Sequence, residues 1–286
     1  MTATGTGAAA PDADSPHAGP PHAAGDRPRR RGVWIFLAAA TAAVVVVPIC
    51  LAMGGRAMRR SAEYVTPYHH AIKELRVEAG SAEVSIGTGP AGRARVFKRL
   101  RWVLRKPVVT ESLHGDVLSI ATWCPGDVAL YGGWECGVDL DVQVPAGVRV
   151  SAASGSGEIT VRGVNGDMDL RTGSGEISVV GSRGALRARA GSGTIRGTRL
   201  ASADTEAMVG SGEVDLRYAE PPRTVDLSAH AGSVKVIVPV GSHYRVQGWT
   251  GSGDTHLNRA LVDDRSDRSI SIRSGSGSSY LDYYDD

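Results

Sequence analysis

Aromatic side chains are scarce in this 286-residue sequence, because Phe, Trp and Tyr together make up 5% of it and Phe occurs only twice. A compact helical core needs more bulky apolar side chains than this, so the composition argues against a helical globular domain. Glycine is abundant, with 37 residues, and 42% of the chain is still apolar. That combination favours narrow β-layers joined by many tight turns.

The chain also lacks a strong net charge. The formal net charge is +2, and residues 1–60 carry seven Arg against three Asp, so the remainder is slightly acidic. A domain that binds nucleic acid usually presents a concentrated basic surface. The sequence therefore predicts no nucleic acid partner.

Recognisable catalytic and ligand-binding motifs are missing as well. The eight His residues show no spacing typical of metal ligands, and no Gly-x-Ser-x-Gly nucleophile motif surrounds the repeated serines. The segment Gly87–Gly92 matches G-x-G-x-x-G, with Glu111 further on, but that motif needs a helix to begin there. Residues 93–101 alternate like a strand instead. We therefore predict no catalytic residue, no cofactor and no bound metal.

Long apolar runs are confined to one place. Val33–Met53 is 21 residues without charge, which at about 1.5 Å per residue spans the roughly 30 Å hydrocarbon layer of a bilayer. Flanking Arg clusters favour a cytoplasmic N-terminus. We predict a disordered cytoplasmic tail over 1–31, a transmembrane helix over 32–55 and a juxtamembrane linker over 56–71, with the rest of the chain outside the cell membrane. A cleaved signal peptide is the alternative.

Cysteine occurs only three times. Cys50 lies in the apolar run, whereas Cys124 and Cys136 flank a Gly-rich stretch of eleven residues. A lone pair in an extracytoplasmic segment predicts a disulfide. Metal binding by two Cys without a suitably spaced His is the weaker alternative.

A repeat dominates the sequence from about residue 150. Gly-Ser-Gly, or a degenerate copy of it, recurs at intervals of 18 to 24 residues and is followed by alternating apolar and polar residues. The second glycine of each copy is interpreted as a structural corner: Gly157, Gly175, Gly193, Gly212, Gly232, Gly253 and Gly277. We expect positive φ at these corners and little room for a Cβ atom.

Apolar positions keep a fixed register to these corners. Met168 and Leu170 precede Gly175 by seven and five residues, Ile177 follows it by two, and the equivalent positions of the other copies are mostly apolar. Alternation predicts that these side chains face inward. The pattern indicates two strands per repeat, with each rung stacking on the preceding one.

The fold class predicted is all-β. A period near 18 to 20 residues favours a β-solenoid over 151–286, and an antiparallel sandwich is the alternative. Residues 72–150 alternate without the glycine corner and are interpreted as an N-terminal β cap that protects the first rung. The end Tyr280–Asp286 is expected to place charge at the other end of the solenoid.

One basic stretch alternates like a strand. Its arginines are Arg93, Arg95, Arg99, Arg101 and Arg105, with apolar residues between them and an apparent exchange of order at Phe97 and Lys98. A solvated face is the structural interpretation. The functional interpretation is contact with lipid phosphates or an anionic wall polymer.

Carboxylates also line up. Glu158 and Glu176 occupy the same position in neighbouring repeats, with Glu213 and Asp254 further along. Paired acids can hydrolyse glycosides, which makes a polysaccharide-active β-helix enzyme an alternative function. Exposed charges are the simpler interpretation, since no aromatic platform for sugar rings accompanies these acids.

The apolar run, the Cys pair, the run Val138–Gly147 and the Gly-Ser-Gly-Glu-Ile ladder together resemble a bacterial family of domains of unknown function. Its members are common in actinobacteria and are described as candidate adhesins with β-strand repeats. The resemblance covers about residues 70–280. It implies a membrane-anchored β-repeat domain outside the cell membrane and adds no catalytic residues. The sequence as a whole predicts a non-enzymatic, adhesin-like or envelope-binding module. Its predicted partners are membrane lipid and, from the basic stretch, an anionic envelope polymer or surface ligand. A sensor or regulatory membrane subunit is a further alternative.

Overall fold

The computed structural model describes residues 29–57, 60–125 and 136–284. The chain divides into two units at Gly54–Gly55, and each is described by itself. The first contains α1 (Arg29–Ala57), which covers the segment 32–55 expected to be helical. Among the described residues, no helix combines the length and apolarity needed to cross a membrane. Most of the expected tail, 1–28, lies outside the described residues.

The second unit, which we call the β unit, is a single sheet of β-strands. The strands are β1 (Arg60–Tyr68), β2 (Glu74–Ala79), β3 (Glu83–Thr88), β4 (Ala94–Trp102), β5 (Val108–His114), β6 (Val117–Trp123), β7 (Cys136–Val144), β8 (Arg149–Ser154), β9 (Ile159–Arg162), β10 (Met168–Val180), β11 (Leu186–Leu200), β12 (Asp204–Tyr218), β13 (Thr224–Val238), β14 (Arg245–Ser252), β15 (Thr255–Leu257), β16 (Ser269–Ser276) and β17 (Ser279–Tyr283). A 3-10 helix, Arg259–Leu261, precedes β16. The segment 56–71, expected to be a linker, contains β1, which pairs with β4 along its whole length.

The sheet bends at the Gly-Ser-Gly corners and so has two sides. Strands before a corner form the A side, in the order β5-β6-β2-β8-β10-β11-β12-β13-β16-β14. Strands after a corner form the B side, in the order β1-β4-β7-β3-β9-β10-β11-β12-β13-β17-β15. Pairing is parallel throughout, except where β5, β4 and β1 are added antiparallel at one end. The rungs therefore stack as a β-solenoid, and not as an antiparallel sandwich.

One apolar core lies between the inner faces of the two sides. The inward B-side ladder is confirmed, because Ile159, Ile177, Ile195, Val214 and Val234 are at most 1% exposed. Full burial of one such side chain contributes roughly 1.5–3 kcal/mol, so the core holds the register of each rung. The A-side ladder is buried too at Met168 and Leu170. Burial of this ladder is incomplete at β14, where Val246 is half-buried and Gly248 is exposed.

The structure does not divide these repeats into two separate strands at the corner, as the sequence pattern had indicated. β10 to β13 run through their corners as continuous strands of 13 to 15 residues. Gly175 has a φ of +155°, and a Cβ atom on it would lie 2.6 Å from the carbonyl oxygen of Gly157 in the neighbouring rung. No side chain fits at that separation, and few residues other than glycine adopt that φ.

The other marker glycines are crowded in the same way. Positive φ recurs at Gly193, Gly212, Gly232, Gly253 and Gly277, each against a backbone carbonyl of the adjacent rung. Gly157 departs from the expectation, since its φ is not positive. It is nevertheless crowded by the carbonyl of Ala82, so close approach alone accounts for glycine there.

Stacking does not follow chain order at the C-terminal end. β16 and β17 are inserted between β13 and the rung that β14 and β15 form, so Gly277 stacks between Gly232 and Gly253. The expectation that the segment from Tyr280 onward charges the end of the solenoid is therefore wrong for its described part. Burial explains the order: the more apolar rung, with Ile270 and Leu281, is enclosed on both sides.

The segment 72–150 also continues the solenoid and does not form a separate cap. β2 and β3 form a rung between β6–β7 and β8–β9, with a corner at Gly80-Ser81-Ala82. In the β6–β7 rung, the expected disulfide between Cys124 and Cys136 is present, with the two Cα atoms 6.1 Å apart. It closes the loop at the place where other rungs have their corner, and the loop residues 126–135 lie outside the described residues.

The crowding at Gly175 predicts a large loss of stability for Gly175→Ala. The added Cβ would meet the Gly157 carbonyl, and the backbone would be strained, at a cost of about 2–4 kcal/mol. Gly87→Ala is the matched control, because Gly87 has open space around it, and its midpoint of urea unfolding should stay near wild type. Equal midpoints for the two variants would contradict the corner assignment.

Candidate ligand-contact surfaces

The basic stretch predicted from the sequence lies on β4 and its flanks. Ala94, Val96 and Leu100 face the core and are nearly fully buried, whereas the arginines between them are exposed. Arg95, Arg99 and Arg101 lie on the outer face of β4, while Arg93 precedes the strand and Arg105 follows it. The amphipathic strand is therefore confirmed.

Two of these five arginines are neutralised within the unit. Antiparallel pairing sets Arg99 opposite Glu63 of β1 and opposite Asp139 of β7. Arg99 Nε donates to Glu63 Oε1 at 2.8 Å, which raises the pKa of the guanidinium. Arg101 Nη2 donates to Asp139 Oδ1 at 2.7 Å. Because these two charges are paired, the basic surface is smaller than the sequence suggests. Within the described ranges Arg93, Arg95 and Arg105 form no ion pair.

The apparent exchange at Phe97 and Lys98 is not present in the strand. Alternation continues unbroken, so Phe97 faces outward and Lys98 faces the end of the core, opposite Tyr64 of β1 and Leu140 of β7. Lys98 forms an ion pair with Glu111 of β5, and their side chains are only 14% and 10% exposed. The sequence gives no sign of this pair, because the two strands that carry it are not neighbours in the ladder.

Further polar contacts complete this pair. Tyr68 Oη donates to Glu111 Oε2 at 2.5 Å, and Lys98 Nζ donates to Thr66 Oγ1 at 3.0 Å. Burial and the nearby Glu111 carboxylate raise the pKa of the Tyr68 phenol, which stays protonated and continues to donate. Glu111 thus has a structural partner. The segment Gly87–Gly92, which matches G-x-G-x-x-G, joins the end of β3 at Thr88 to the start of β4 at Ala94.

A cluster of basic and aromatic side chains lies beside this network. We call it the basic tip, and it comprises Arg60, Tyr64, Trp102, Leu104, Arg105 and Lys106. Lys106 Nζ donates to Tyr64 Oη at 2.9 Å and lies 5.7 Å from the centre of the Trp102 ring. Leu104 is 65% exposed, so the tip presents apolar surface beside its positive charge.

Two of the four stacked carboxylates have side-chain partners on the solenoid surface. Glu158 accepts a hydrogen bond from Thr160 Oγ1 at 2.8 Å, and Arg196 of the next rung donates to Glu176 at 2.5 Å. In the described part of the chain, no three His, Cys, Asp or Glu side chains are grouped to hold a metal ion. Surface contacts thus account for Glu158 and Glu176, two of the four acids in this line.

A second cluster was not predicted from the sequence, because it depends on the inserted strand β17. The rings of His256 on β15 and Tyr280 on β17 stack with centroids 4.4 Å apart, and Lys235 of β13 lies 5.2 Å from the Tyr280 centroid. Asp282 accepts from Asn258 Nδ2 at 2.7 Å and contacts His256 Nε2 at 2.9 Å. Those two hydrogen bonds are the main reason why the pKa of Asp282 falls to about 2.

Comparison with known proteins adds a family and a set of distant folds. A family model described as Toastrack DUF4097 matches residues 64–283, which is most of the chain. No curated protein matches this chain. A proposed cell adhesion protein from Clostridium sporogenes has 12% identity and a TM-score of 0.43, over 79% of this chain and 100% of its own. A proposed lipid-binding protein from Parabacteroides distasonis has 10% identity and a TM-score of 0.40, over 78% and 97%.

The buried pair predicts that Glu111→Gln destabilises the β unit by about 3 kcal/mol, because it leaves the Lys98 charge without its partner. The double variant Lys98→Met/Glu111→Leu should recover much of this loss. Glu63→Gln breaks the exposed pair with Arg99 and serves as the control, whose midpoint of urea unfolding should stay close to wild type. Urea unfolding measures all three, and similar losses for Glu111→Gln and Glu63→Gln would refute the buried pair.

The lowered pKa of Asp282 predicts a stability that depends on pH. A carboxyl group with a pKa of about 2 in the folded chain and about 4 in the unfolded chain stabilises the fold above pH 4, and this contribution is lost as the pH falls through 4 and then through 2. Asp282→Asn should therefore cost up to about 2 kcal/mol at pH 7 and only a few tenths of that, roughly 0.4 kcal/mol, at pH 2, where about half of the Asp282 carboxyl groups are still ionised. Thermal unfolding against pH tests this, with Asp264→Asn on an exposed loop as the control. A difference that is as large at pH 2 as at pH 7 would argue against the assignment.

Proposed function

Because the chain belongs to the Toastrack DUF4097 family, we propose that its β-repeat unit is a non-enzymatic, adhesin-like module that binds components of the cell envelope. A membrane anchor, the uncharged run Val33–Met53, holds this unit on the outer side of the cell membrane. The anchor is inferred from the sequence, from the length of the run and the arginines that flank it.

The basic tip is the observation that supports this function best. Basic and aromatic side chains together favour the headgroup region of a bilayer, where the rings and the apolar stems are covered and the charges stay in water. The tip begins at Arg60, three positions after the last residue of α1, so it is the part of the β unit that follows the anchor most closely in sequence. Membrane lipid is therefore the partner proposed for the tip.

The unpaired arginines of the basic stretch extend this surface away from the tip. Arg93 and Arg95 lie at the opposite end of β4 from Arg105, and both are exposed. Exposed guanidinium groups that lack an internal carboxylate remain available to phosphate or carboxylate groups. An anionic envelope polymer or surface ligand is the partner proposed for them.

Two measurements on the full chain test this function. A reporter fused after Asp286 should be active only on the outer side of the membrane, and a mature protein that starts near residue 57 would contradict the anchor.

Membrane vesicles that display the chain should bind isolated cell envelopes more strongly than vesicles without it. Equal binding by both kinds of vesicle would reject the adhesin-like role.

A further inference from the structure

The solenoid has a second row of bends, opposite the Gly-Ser-Gly corners. In three successive rungs the chain leaves the B side through a residue with positive φ: Gly163 at +70°, Gly181 at +64° and Arg199 at +52°. The backbone sets Gly163 and Gly181 at equivalent places, because their N–H groups donate to Val180 and Thr198 of the next rung at 2.9 and 3.0 Å. Arg199 follows Thr198 and so takes the third such place.

Arginine at this place is costly for the fold. Among the described residues Arg199 is the only one other than glycine with positive φ, a conformation that disfavours side chains with a Cβ. The two preceding rungs show that glycine fits there. Backbone strain that persists at one position in this way is commonly tied to a function of the side chain.

A β-bulge sets the direction of this side chain. The register of β11 against β12 shifts between Gly197 and Leu200, where β11 has one extra residue. Leu200 is fully buried and fills the space beside Gly197, because a Cβ on Gly197 would lie 2.6 Å from Leu200 Cδ1. The bulge thus buries Leu200 and leaves Arg199 exposed.

Arg199 shares a cleft with two other arginines. The cleft has a volume of about 380 Å³, and its charged lining residues are Arg162, Arg183, Arg199 and Glu220, over small residues that include Gly163 and Gly181. Arg183 is paired with Glu220 at 2.9 Å, and Arg162 contacts the Ser85 hydroxyl at 3.3 Å. In the part of the chain that the structure describes, Arg162 and Arg199 form no ion pair. The cleft therefore carries an excess of positive charge.

We propose that this arginine cleft binds the phosphate groups of an anionic envelope polymer. The proposal rests on the proposed envelope-binding function and names its ligand class. A guanidinium group donates two parallel hydrogen bonds to a phosphate, which a lysine or a single backbone N–H cannot do. Arg162 and Arg199 belong to strands two rungs apart, roughly 10 Å at the usual spacing of strands. A ligand with several phosphates therefore reaches both, and one with a single phosphate does not.

The test uses the full chain in phosphatidylcholine nanodiscs and soluble poly(glycerol phosphate) as the probe. Arg199→Gly should weaken binding about tenfold, since one guanidinium contact is lost, while Tm stays unchanged or rises by up to about 3 °C as strain is relieved. Arg162→Gln should weaken binding similarly at unchanged Tm. Monomeric glycerol phosphate should bind much more weakly than the polymer, and salt should weaken polymer binding.

Two control variants have the same net charge as the test variants. Arg273→Gln removes a charge that is paired with Asp226 on the A side, and Arg265→Gln removes an exposed charge from the loop before β16. Both should change affinity less than about twofold. Arg95→Gln tests the β4 surface proposed above for the same class of ligand, and it should weaken polymer binding less than Arg199→Gly does. An equal loss for either control would show general charge attraction, and a larger loss for Arg95→Gln than for Arg199→Gly would move the site to β4; either result overturns the cleft.

Three further outcomes would also overturn it. A lower Tm for Arg199→Gly with unchanged binding would show that the arginine is kept for stability. If Arg199→Gly abolished binding to phosphatidylglycerol vesicles but left polymer binding unaffected, the phosphate that Arg199 binds would be that of a lipid. A chain that binds isolated envelopes but not poly(glycerol phosphate) would reject the ligand class and leave the proposed function standing.

Discussion

The backbone ladder that continues around each Gly-Ser-Gly corner is the constraint on which the structure depends. The carbonyl of one rung lies so close to the glycine of the next that a side chain is excluded, as at Gly157 and Gly175. Once the corner is set, strand alternation determines which side chains enter the core. It also stacks outward residues of neighbouring rungs side by side, so that Arg196 meets Glu176. Charge pairing on the surface is thus a consequence of the corner.

Local features of the fold could be predicted from the sequence, and the order of its rungs could not. Ile159, Ile177 and Ile195 alternate at a fixed distance from a glycine, so their burial follows from the pattern. The insertion of β16 and β17 beside β13 depends on a comparison of competing rungs, which no local pattern contains. Gly80-Ser81-Ala82 did carry a signal, because it differs from a true corner only at its third residue.

The candidate sites show the same limit. The exposed face of β4 was predictable from alternation, but the partners of Arg99 and Arg101 lie on β1 and β7, whose pairing with β4 the sequence does not reveal. Lys98 appeared to break the pattern because a charged residue is not expected to face a core. Its partner Glu111 is brought close only by the fold. Arg199 was not predicted either, since its equivalence to Gly163 and Gly181 rests on a bulge.

The inserted rung has a mechanical consequence. β17 is the last strand in chain order, yet it is hydrogen-bonded to β13 on one side and to β15 on the other. A terminal strand at the edge of a sheet can be peeled away one hydrogen bond at a time. A pull along β17 loads two ladders in shear, and all of their bonds resist together. The last strand in chain order among the described residues is therefore clamped against tension, although the rung formed by β14 and β15, which lies beyond it in the stack, is mostly exposed.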